Sequence, residues 1–286
     1  MPPTDPAALR AALRGVAGLI LDADGVIILR GEAIPGALEA IADLEARGVP
    51  YRVVTNFSMA HRTTLAANLA ARHGRPFDPD RLITASSAAA SYTAVRYAGR
   101  PIVVVAAPDA RREFAGQDLV PLETAEPGRV DAVIIGDAGD DLSYRNMDVL
   151  FGLIRAGADF LAMHRNPWWL TPNGPTLDAG AIVAGLEFAV GRRATVLGKP
   201  SPEVFRQALA GICADRGTST PAAAVAMVGD DPDADVRGAQ RVGLRGILVL
   251  TGKTTPDHIA AARLGRGRRA PDAIATSLSE VVAALD

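Results

Sequence analysis

Short apolar runs alternate with helical patterns along most of this 286-residue chain. The runs at 17–21 and 224–228 are continuous, which is typical of strands buried on both faces of a sheet. Further strands are predicted at 52–54, 102–105, 132–135, 160–163, 194–197 and 246–250. Helices are predicted at 35–47, 59–72, 143–156, 179–190, 202–213 and 235–241. This alternation predicts an α/β fold with a parallel sheet and helices on both faces.

The charge balance and the single cysteine exclude several classes of protein. The chain has 30 basic and 32 acidic residues and a net charge of −2, whereas nucleic-acid binders usually carry a basic surplus. No apolar run reaches the ~20 residues of a membrane span, and the N-terminus lacks a signal-peptide pattern. Cys213 alone makes neither a disulfide nor a cysteine-built zinc site. We therefore expect a cytoplasmic protein without nucleic-acid or membrane partners.

Carboxylates follow two of the buried runs directly. Asp22 and Asp24 come after the first run, and their spacing lets both side chains point to the same side of the strand end. Gly25 then permits a sharp turn. Two carboxylates at the carboxyl edge of a parallel sheet favour a hard cation such as Mg²⁺. Taken alone, this turn is equally consistent with a solvated, Asp-rich loop.

The second acidic turn follows the run at 224–228 and makes a cation site the better interpretation. Asp230 is the first acidic residue after this strand, and Asp235 lies five residues further on. Asp235 has a simpler alternative role as the N-cap of the next helix. Two acidic turns after buried strands of one α/β chain nevertheless indicate a shared oxygen-rich site.

Polar residues at two other strand ends suit phosphate binding. Thr55 and Asn56 follow the strand at 52–54 at the start of a helix, where free N–H groups favour an anion, although helix capping is the alternative role. Lys199 follows the strand at 194–197. Only Lys199 and Lys253 among the 30 basic residues are lysines, and an ammonium is a compact point charge unlike a guanidinium.

These motifs together resemble, in order, the four motifs of the haloacid dehalogenase superfamily: Asp22-x-Asp24-Gly25, Thr55-Asn56, Gly198-Lys199-Pro200 and Gly229-Asp230-x4-Asp235. The chain resembles the branch of the phosphatase NagD. The stretches 194–203 and 228–253 are more similar still to the haloacid dehalogenase-like hydrolase domain-containing proteins and to the phospholysine/phosphohistidine pyrophosphate phosphatase. The resemblance implies a Rossmann-like core that transfers phosphoryl groups through an aspartyl-phosphate.

The resemblance also implies a role for each motif residue. Asp22 would be the nucleophile, and Asp24 would protonate the leaving oxygen and then activate water. Mg²⁺ would be held by Asp22, the Asp24 backbone carbonyl and Asp230. Asp235 would contact these ligands without binding the ion, or would orient Lys199. The phosphoryl group would be held by Thr55, Asn56 and Lys199. A phosphotransferase or mutase with the same intermediate, or a non-catalytic phosphometabolite-binding module, remains an alternative to a phosphatase.

Motif spacing predicts a second domain. Asp24 to Asn56 spans 32 residues and Lys199 to Asp230 spans 31, each about one βα unit, but Asn56 to Lys199 spans 143. The relatives insert an α/β cap of the C2 type here, so we predict a core at 1–83 and 192–286 and a cap at 84–191. Relatives often dimerise through this cap, which makes a homodimer an expectation.

The predicted cap contains a segment with both tryptophans of the chain, at 163–169. His164, Arg165 and Trp168 are candidates for contact with the leaving group of a small phosphorylated substrate. The alternative is a packed cap edge or a subunit interface, where tryptophan is also enriched. For each residue taken singly, the packed edge is the more common outcome. Lys253 is expected in a loop at the edge of the active site or in solvent.

Overall fold

The computed structural model describes residues 4–171, 174–254 and 270–286, and the chain divides into two compact units. The first unit comprises Met1–Thr55 and Lys199–Asp286, and the second comprises Asn56–Gly198. The sequence places the core–cap boundaries at 83/84 and 191/192, so the two divisions differ over residues 56–83 and 192–198. The predicted assignment of those residues to a catalytic core stays a prediction.

Strands and helices alternate in both units. Numbered along the chain, the strands are β1 (Gly18–Asp22), β2 (Ile28–Leu29), β3 (Glu32–Ala33), β4 (Tyr51–Thr55), β5 (Leu82–Thr84), β6 (Ile102–Val105), β7 (Ala132–Ile135), β8 (Asp159–Ala162), β9 (Trp168–Thr171), β10 (Gly174–Leu177), β11 (Thr195–Val196), β12 (Val225–Gly229), β13 (Arg245–Val249) and β14 (Ala273–Ala275). The helices are α1 (Pro6–Leu13), α2 (Ala37–Ala46), α3 (Arg62–His73), α4 (Ala85–Arg96), α5 (Pro108–Arg111), α6 (Tyr144–Arg155), α7 (Ala179–Val190), α8 (Pro202–Arg216), α9 (Gly238–Gln240) and α10 (Leu278–Ala283).

In the first unit, five parallel strands lie in the order β14-β13-β12-β1-β4. Every residue of β1 and β12 is buried, as their continuous apolar runs predict. In the register of this sheet, Leu21 of β1 pairs with Val228 of β12, and Asp22 pairs with Val54 of β4. The carboxyl ends of β1, β4 and β12 therefore meet at one edge, where ligands bind in open parallel sheets.

The helix after the Lys199 segment shows how local sequence sets an element. Ser201 accepts the N–H of Glu203 and caps α8, Pro202 occupies the first turn, and Gly217 ends the helix with a φ of 62°. The apolar pattern predicts that this helix ends at 213, three residues before its observed end. The helix is stopped by Gly217, and the apolar pattern does not mark that position.

The second unit has its own parallel sheet in the order β11-β8-β7-β6 and an antiparallel pair formed by β9 and β10. One apolar cluster on this sheet includes Phe114 and Tyr97, and another includes Phe160 and the α6 residue Leu153. The unit thus has a core of its own. The predicted α/β fold class with parallel sheets is confirmed for the chain.

Several boundaries differ from those predicted. The helix expected at 235–241 is instead a π-helical turn, Pro232–Arg237, followed by the short α9. The helix expected from 59 begins at Arg62, because the side chain of His61 accepts the N–H of Thr63 and caps it. Within residues 4–171, 174–254 and 270–286, none of the helices combines the length and apolar character that crossing a membrane requires.

Candidate active site

Three aspartates converge at the carboxyl edge of the first unit's sheet. Asp22 ends β1, and Asp230 follows β12, the neighbouring strand. Asp22, Asp230 and Asp235 are buried, and each offers a carboxylate oxygen within 4.8 Å of the others. The structure therefore brings together the two acidic turns that the sequence singles out.

Lys199 lies among these carboxylates. Its Nζ is 2.5 Å from Oδ1 of Asp22 and 2.8 Å from Oδ1 of Asp235, and the ammonium is buried. Desolvation works to lower the pKa of Lys199, but the two carboxylates outweigh it and raise that pKa above its ordinary value. Lys199 is therefore a permanent positive charge in contact with Asp22.

One ammonium does not neutralise three carboxylates. Burial, opposed by Lys199 and reinforced by Asp230 and Asp24, raises the pKa of Asp22 to about 6. Burial and the neighbouring Asp235 raise the pKa of Asp230 to about 6. Burial and the neighbouring Asp22 raise the pKa of Asp235 to about 7. The cluster holds excess negative charge, which a bound cation would relieve.

The donor set fits Mg²⁺. Oδ1 of Asp230 is buried and has no hydrogen-bond partner among the residues that the structure describes. A buried carboxylate oxygen normally has a partner, and the carboxylate of Asp230 has an oxygen within 4.8 Å of one from Asp22. Oxygen donors of this kind suit a hard divalent ion, which binds through one or two carboxylates and keeps several waters.

Backbone groups fix the Asp230 carboxylate. Its Oδ2 accepts the N–H of Lys253 at 2.6 Å, and the hydroxyl of Thr254 donates to the Asp230 carbonyl. A β-carbon at either Gly25 or Gly252 would overlap this carboxylate, and Gly25 also has a φ of 84°. Both glycines are therefore required by the close approach of backbone to Asp230.

Asp24 differs from Asp22 in its exposure to solvent. The side chain of Asp24 is exposed, whereas that of Asp22 is buried. Desolvation by the surrounding protein nevertheless raises the pKa of Asp24, opposed by the positive charges of Lys199 and Lys253. The carboxyl of Asp24 is therefore both more basic than usual and able to exchange protons with solvent.

Asp235 contacts Lys199 and does not cap a helix. The N-cap of the π-helical turn is Asp231, which accepts the N–H groups of Asp233 and Ala234 at 2.9 and 3.0 Å. Oδ2 of Asp235 accepts the N–H of Asp231 at 3.1 Å, while its Oδ1 faces Lys199. The alternative in which Asp235 is the N-cap is wrong.

The two polar residues at the end of β4 belong to different units. Thr55 is buried at the end of β4 in the first unit, next to the Asp22–Val54 pair, and Asn56 begins the second. The N-terminus of α3 is not an open anion site, because its N–H groups at residues 61 and 62 donate to carboxylates of Asp109 and Glu113. Phosphate binding by Thr55 and Asn56 stays a prediction.

The three candidate cap residues have different surroundings. His164 is buried against Ser58, Arg165 forms a 2.7 Å ion pair with Glu187, and the Trp168 side chain is 55% exposed on β9. Contact of these residues with substrate stays a prediction. Sequence reasoning missed Ser58 and Glu187 as their partners, because the pairs are distant in the chain.

Two family models together match the segments that carry the four motifs. A model described as haloacid dehalogenase-like hydrolase matches residues 19–120, and one described as HAD-hydrolase-like matches residues 196–281. The haloacid dehalogenase-like hydrolase domain-containing protein 2 of Bos taurus is 34% identical over 245 residues, covering 85% of this chain and 87% of the relative. The chain belongs to the haloacid dehalogenase superfamily.

A further relative and two solved structures define the branch of this superfamily. The phospholysine phosphohistidine inorganic pyrophosphate phosphatase of Homo sapiens is 34% identical over 251 residues, covering 85% of this chain and 86% of the relative. The 4-nitrophenylphosphatase of Thermotoga maritima has a TM-score of 0.82 and 28% identity, over 96% of this chain and 99% of that one. NagD of E. coli K-12 has a TM-score of 0.79 and 26% identity, over 93% and 98%. The predicted NagD-like resemblance is confirmed, and this member of the superfamily is an enzyme of the phosphatase class.

Proposed function

We propose that the enzyme hydrolyses a small phosphorylated metabolite through an aspartyl-phosphate on Asp22, with Mg²⁺ as cofactor. The observation that supports this most directly is the contact of Lys199 with Asp22, in a cluster where Oδ1 of Asp230 has no hydrogen-bond partner among the described residues. An anionic carboxylate can attack an anionic phosphate only where positive charge offsets the repulsion. At this edge of the sheet, the Lys199 ammonium supplies one positive charge. The carboxylate oxygens could bind a cation that supplies a second.

In the first step, an oxygen of Asp22 attacks phosphorus, and the bond from phosphorus to the leaving oxygen breaks. Asp24 gives its proton to that leaving oxygen. In the second step, Asp24 takes a proton from a water molecule, whose oxygen attacks phosphorus and releases inorganic phosphate and the Asp22 carboxylate. The raised pKa and solvent exposure of Asp24 suit both proton transfers.

The remaining residues bind and orient. Asp22, Asp230 and the backbone carbonyl of Asp24 would hold Mg²⁺, which when bound supplies positive charge against the phosphoryl oxygens. Lys199 would face the same oxygens, and Asp235 fixes the position of its ammonium. Thr55 and Asn56 would donate hydrogen bonds to the phosphoryl group.

Two other functions would use the same residues. A phosphotransferase or mutase would pass the phosphoryl group from Asp22 to a second hydroxyl, so a new phosphoester would accumulate in place of inorganic phosphate. A binding module would bind phosphate without turnover. The presence of Asp24 favours catalysis, because binding alone needs no proton donor at that position.

Hydrolysis of p-nitrophenyl phosphate with and without Mg²⁺ tests the proposal. We expect Mg²⁺-dependent release of inorganic phosphate by the wild type and its loss in Asp22→Asn with an unchanged fold by circular dichroism. Asp215→Asn is the matched control, because Asp215 pairs with the buried Arg52 at 2.6 Å, outside the acidic cluster. Full activity in Asp22→Asn, or binding without turnover in the wild type, would reject the proposal.

A further inference from the structure

The second unit contains a buried polar cluster centred on His164. Its Nε2 lies 3.0 Å from Oγ of Ser58, and each of the two residues is only 2% exposed. Oδ1 of Asp178 lies 3.6 Å from the same nitrogen. Buried polar groups of this kind are retained only with their partners satisfied, so the cluster holds three segments in a defined arrangement.

The cluster is not a serine-hydrolase triad, although it contains serine, histidine and aspartate. In a triad the serine and the aspartate bind opposite nitrogens of the imidazole, so that a proton can pass from serine to histidine. Here Ser58 and Asp178 both approach Nε2. The imidazole therefore connects segments of the chain and does not activate Ser58.

The hydrogen bonds of the ring assign its tautomer. The N–H of Asn166 points to Nδ1 of His164 at 3.4 Å, and because an N–H can only donate, Nδ1 accepts. Burial lowers the pKa of His164, so the ring is neutral and its proton is on Nε2, which donates to Ser58. Oγ of Ser58 also accepts the N–H of Asp137 at 3.3 Å.

Asn166 is fixed from its other side by α7. Its carbonyl accepts the N–H of Gly180 at 3.1 Å, and a β-carbon at Gly180 would overlap the carbonyls of Arg165 and Asn166. Arg165 is itself bound to the buried Glu187. Residues 165 and 166 are thus both bound to α7, and His164 lies against the N-cap of that helix, Asp178.

The side chain of Asn166 reaches the predicted phosphate-binding residue Asn56. Its Oδ1 accepts from Nδ2 of Asn56 at 3.4 Å. A β-carbon at Gly198 would come within 2.7 Å of the other end of that carboxamide, Oδ1 of Asn56. The Asn56 carboxamide is therefore bordered on both ends by residues of its own unit.

We propose that His164 and Asn166 are positioning residues for phosphate binding, which hold Asn56 through two routes. One route runs from Nε2 through Ser58, two residues after Asn56, and the other from Nδ1 through Asn166 to the Asn56 carboxamide. The proposal rests on the proposed function, because it takes Asn56 as a ligand of the phosphoryl group. His164 then acts on substrate binding without touching the substrate.

Ser58→Ala and Asn166→Leu test the two routes in the Mg²⁺-loaded enzyme. We expect each to raise the KM for p-nitrophenyl phosphate by about fivefold and to raise the Kd of inorganic phosphate, measured by calorimetry, by the same factor with little change in kcat. Tyr97→Phe is the control, since it removes another 2.7 Å hydrogen bond of the same unit, to Asp159. It should lower the Tm without changing KM or Kd.

Two substitutions of His164 separate positioning from a structural role. His164→Gln keeps a donor for Ser58, and His164→Asn keeps an acceptor for the N–H of Asn166. Each should restore part of the phosphate affinity that His164→Ala loses. This should hold even when the Tm of the variant is as low as that of Tyr97→Phe. This partial rescue is a result that loss of packing alone does not produce.

Unchanged KM and Kd in both Ser58→Ala and Asn166→Leu, with a Tm lowered as in Tyr97→Phe, would overturn the positioning proposal. The proposed function fails by a different result, which is absence of turnover in the wild type. In that case the calorimetric Kd of inorganic phosphate still tests the positioning proposal, because it requires binding and not chemistry.

Discussion

Lys199 and Asp235 form a buried ion pair with 2.8 Å between Nζ and Oδ1, although 36 positions separate them in the chain. A β-carbon at Gly229 would overlap Asp235, so this glycine lets the β12 backbone approach the carboxylate. Asp235 in turn holds the ammonium against Asp22. The orientation of the positive charge at the proposed nucleophile therefore depends on a residue that need not contact substrate.

Lys199→Met should remove activity and make stability depend strongly on pH. Without the ammonium, Asp22 and Asp235 remain buried with no positive partner, and their already raised pKa values rise further. The native state then binds more protons than the unfolded state, so stability is retained below the ordinary carboxyl pKa of 3.8 and lost progressively as pH rises from there through the wild-type values of about 6 and 7 and beyond. We expect a loss of about 3 kcal/mol in the free energy of unfolding at pH 8 and a smaller loss at pH 5, by urea titration.

Lys253→Met is the comparison variant, because it removes the chain's other lysine from an exposed position, where solvent screens its attraction to Asp24 and Asp230. It should change the free energy of unfolding by less than about 0.5 kcal/mol at both pH values. Equal losses in Lys199→Met at pH 5 and pH 8 would show that the buried carboxylates do not determine the effect.

Asp230→Asn should abolish stabilisation by Mg²⁺. Asp230 offers an oxygen that has no hydrogen-bond partner among the described residues, and an amide in its place lacks the negative charge that offsets a divalent cation. The neighbouring Asp231→Asn is the control, since asparagine caps a helix as well as aspartate does. Thermal unfolding with and without Mg²⁺ should show a Tm increase in the wild type and Asp231→Asn only; an increase in Asp230→Asn would place the ion elsewhere.

Stabilisation by Mg²⁺ should grow with pH. Without metal, Asp22 and Asp230 have pKa values of about 6, raised chiefly by burial. Below that pH both carboxyls bind protons with which a cation must compete, and above it they are free to bind the ion. The Tm increase caused by Mg²⁺ should be larger at pH 8 than at pH 5, and an equal increase at both would argue against ligation by these carboxylates.

Gly25→Ala should disturb the acidic cluster beyond the usual effect of a strained backbone. Gly25 has a φ of 84°, and its missing β-carbon leaves room for the Asp230 carboxylate. Gly48→Ala shares the left-handed backbone, with a φ of 64°, but a β-carbon there meets no atom within 4 Å. Both variants should lose about 1 kcal/mol of stability from strain, measured by denaturant unfolding, and only Gly25→Ala should lose the Tm response to Mg²⁺. A retained response would contradict the close packing around Asp230.

Asp22 and Asp230 could be brought together from sequence for a physical reason. Each lies at the end of a strand of one parallel sheet, and the carboxyl ends of such strands meet at one edge. Lys199 follows β11 of the other sheet, so strand patterns alone do not place it beside them; the order of the four motifs does. The choice between Asp231 and Asp235 as N-cap could not be made in this way. Both lie in one acidic turn, and the deciding partner, Lys199, is distant in the chain.

Other features leave no pattern in the sequence at all. Lys253 binds Asp230 through its backbone N–H, a group that every residue except proline has. Helix α4 buries most of its small residues and so shows no apolar stripe that would predict it. The contact of Ser58 with His164 joins positions 106 residues apart.

The most direct test of the account is to trap the phosphoryl group on the enzyme. Turnover of p-nitrophenyl phosphate would be quenched in acid, the protein reduced with borohydride, and the peptide containing residue 22 examined by mass spectrometry. Because borohydride reduces an aspartyl-phosphate to homoserine, the account predicts homoserine at position 22 in the wild type and none in Asp22→Asn. Release of inorganic phosphate with residue 22 unmodified, or modification at another residue, would contradict it.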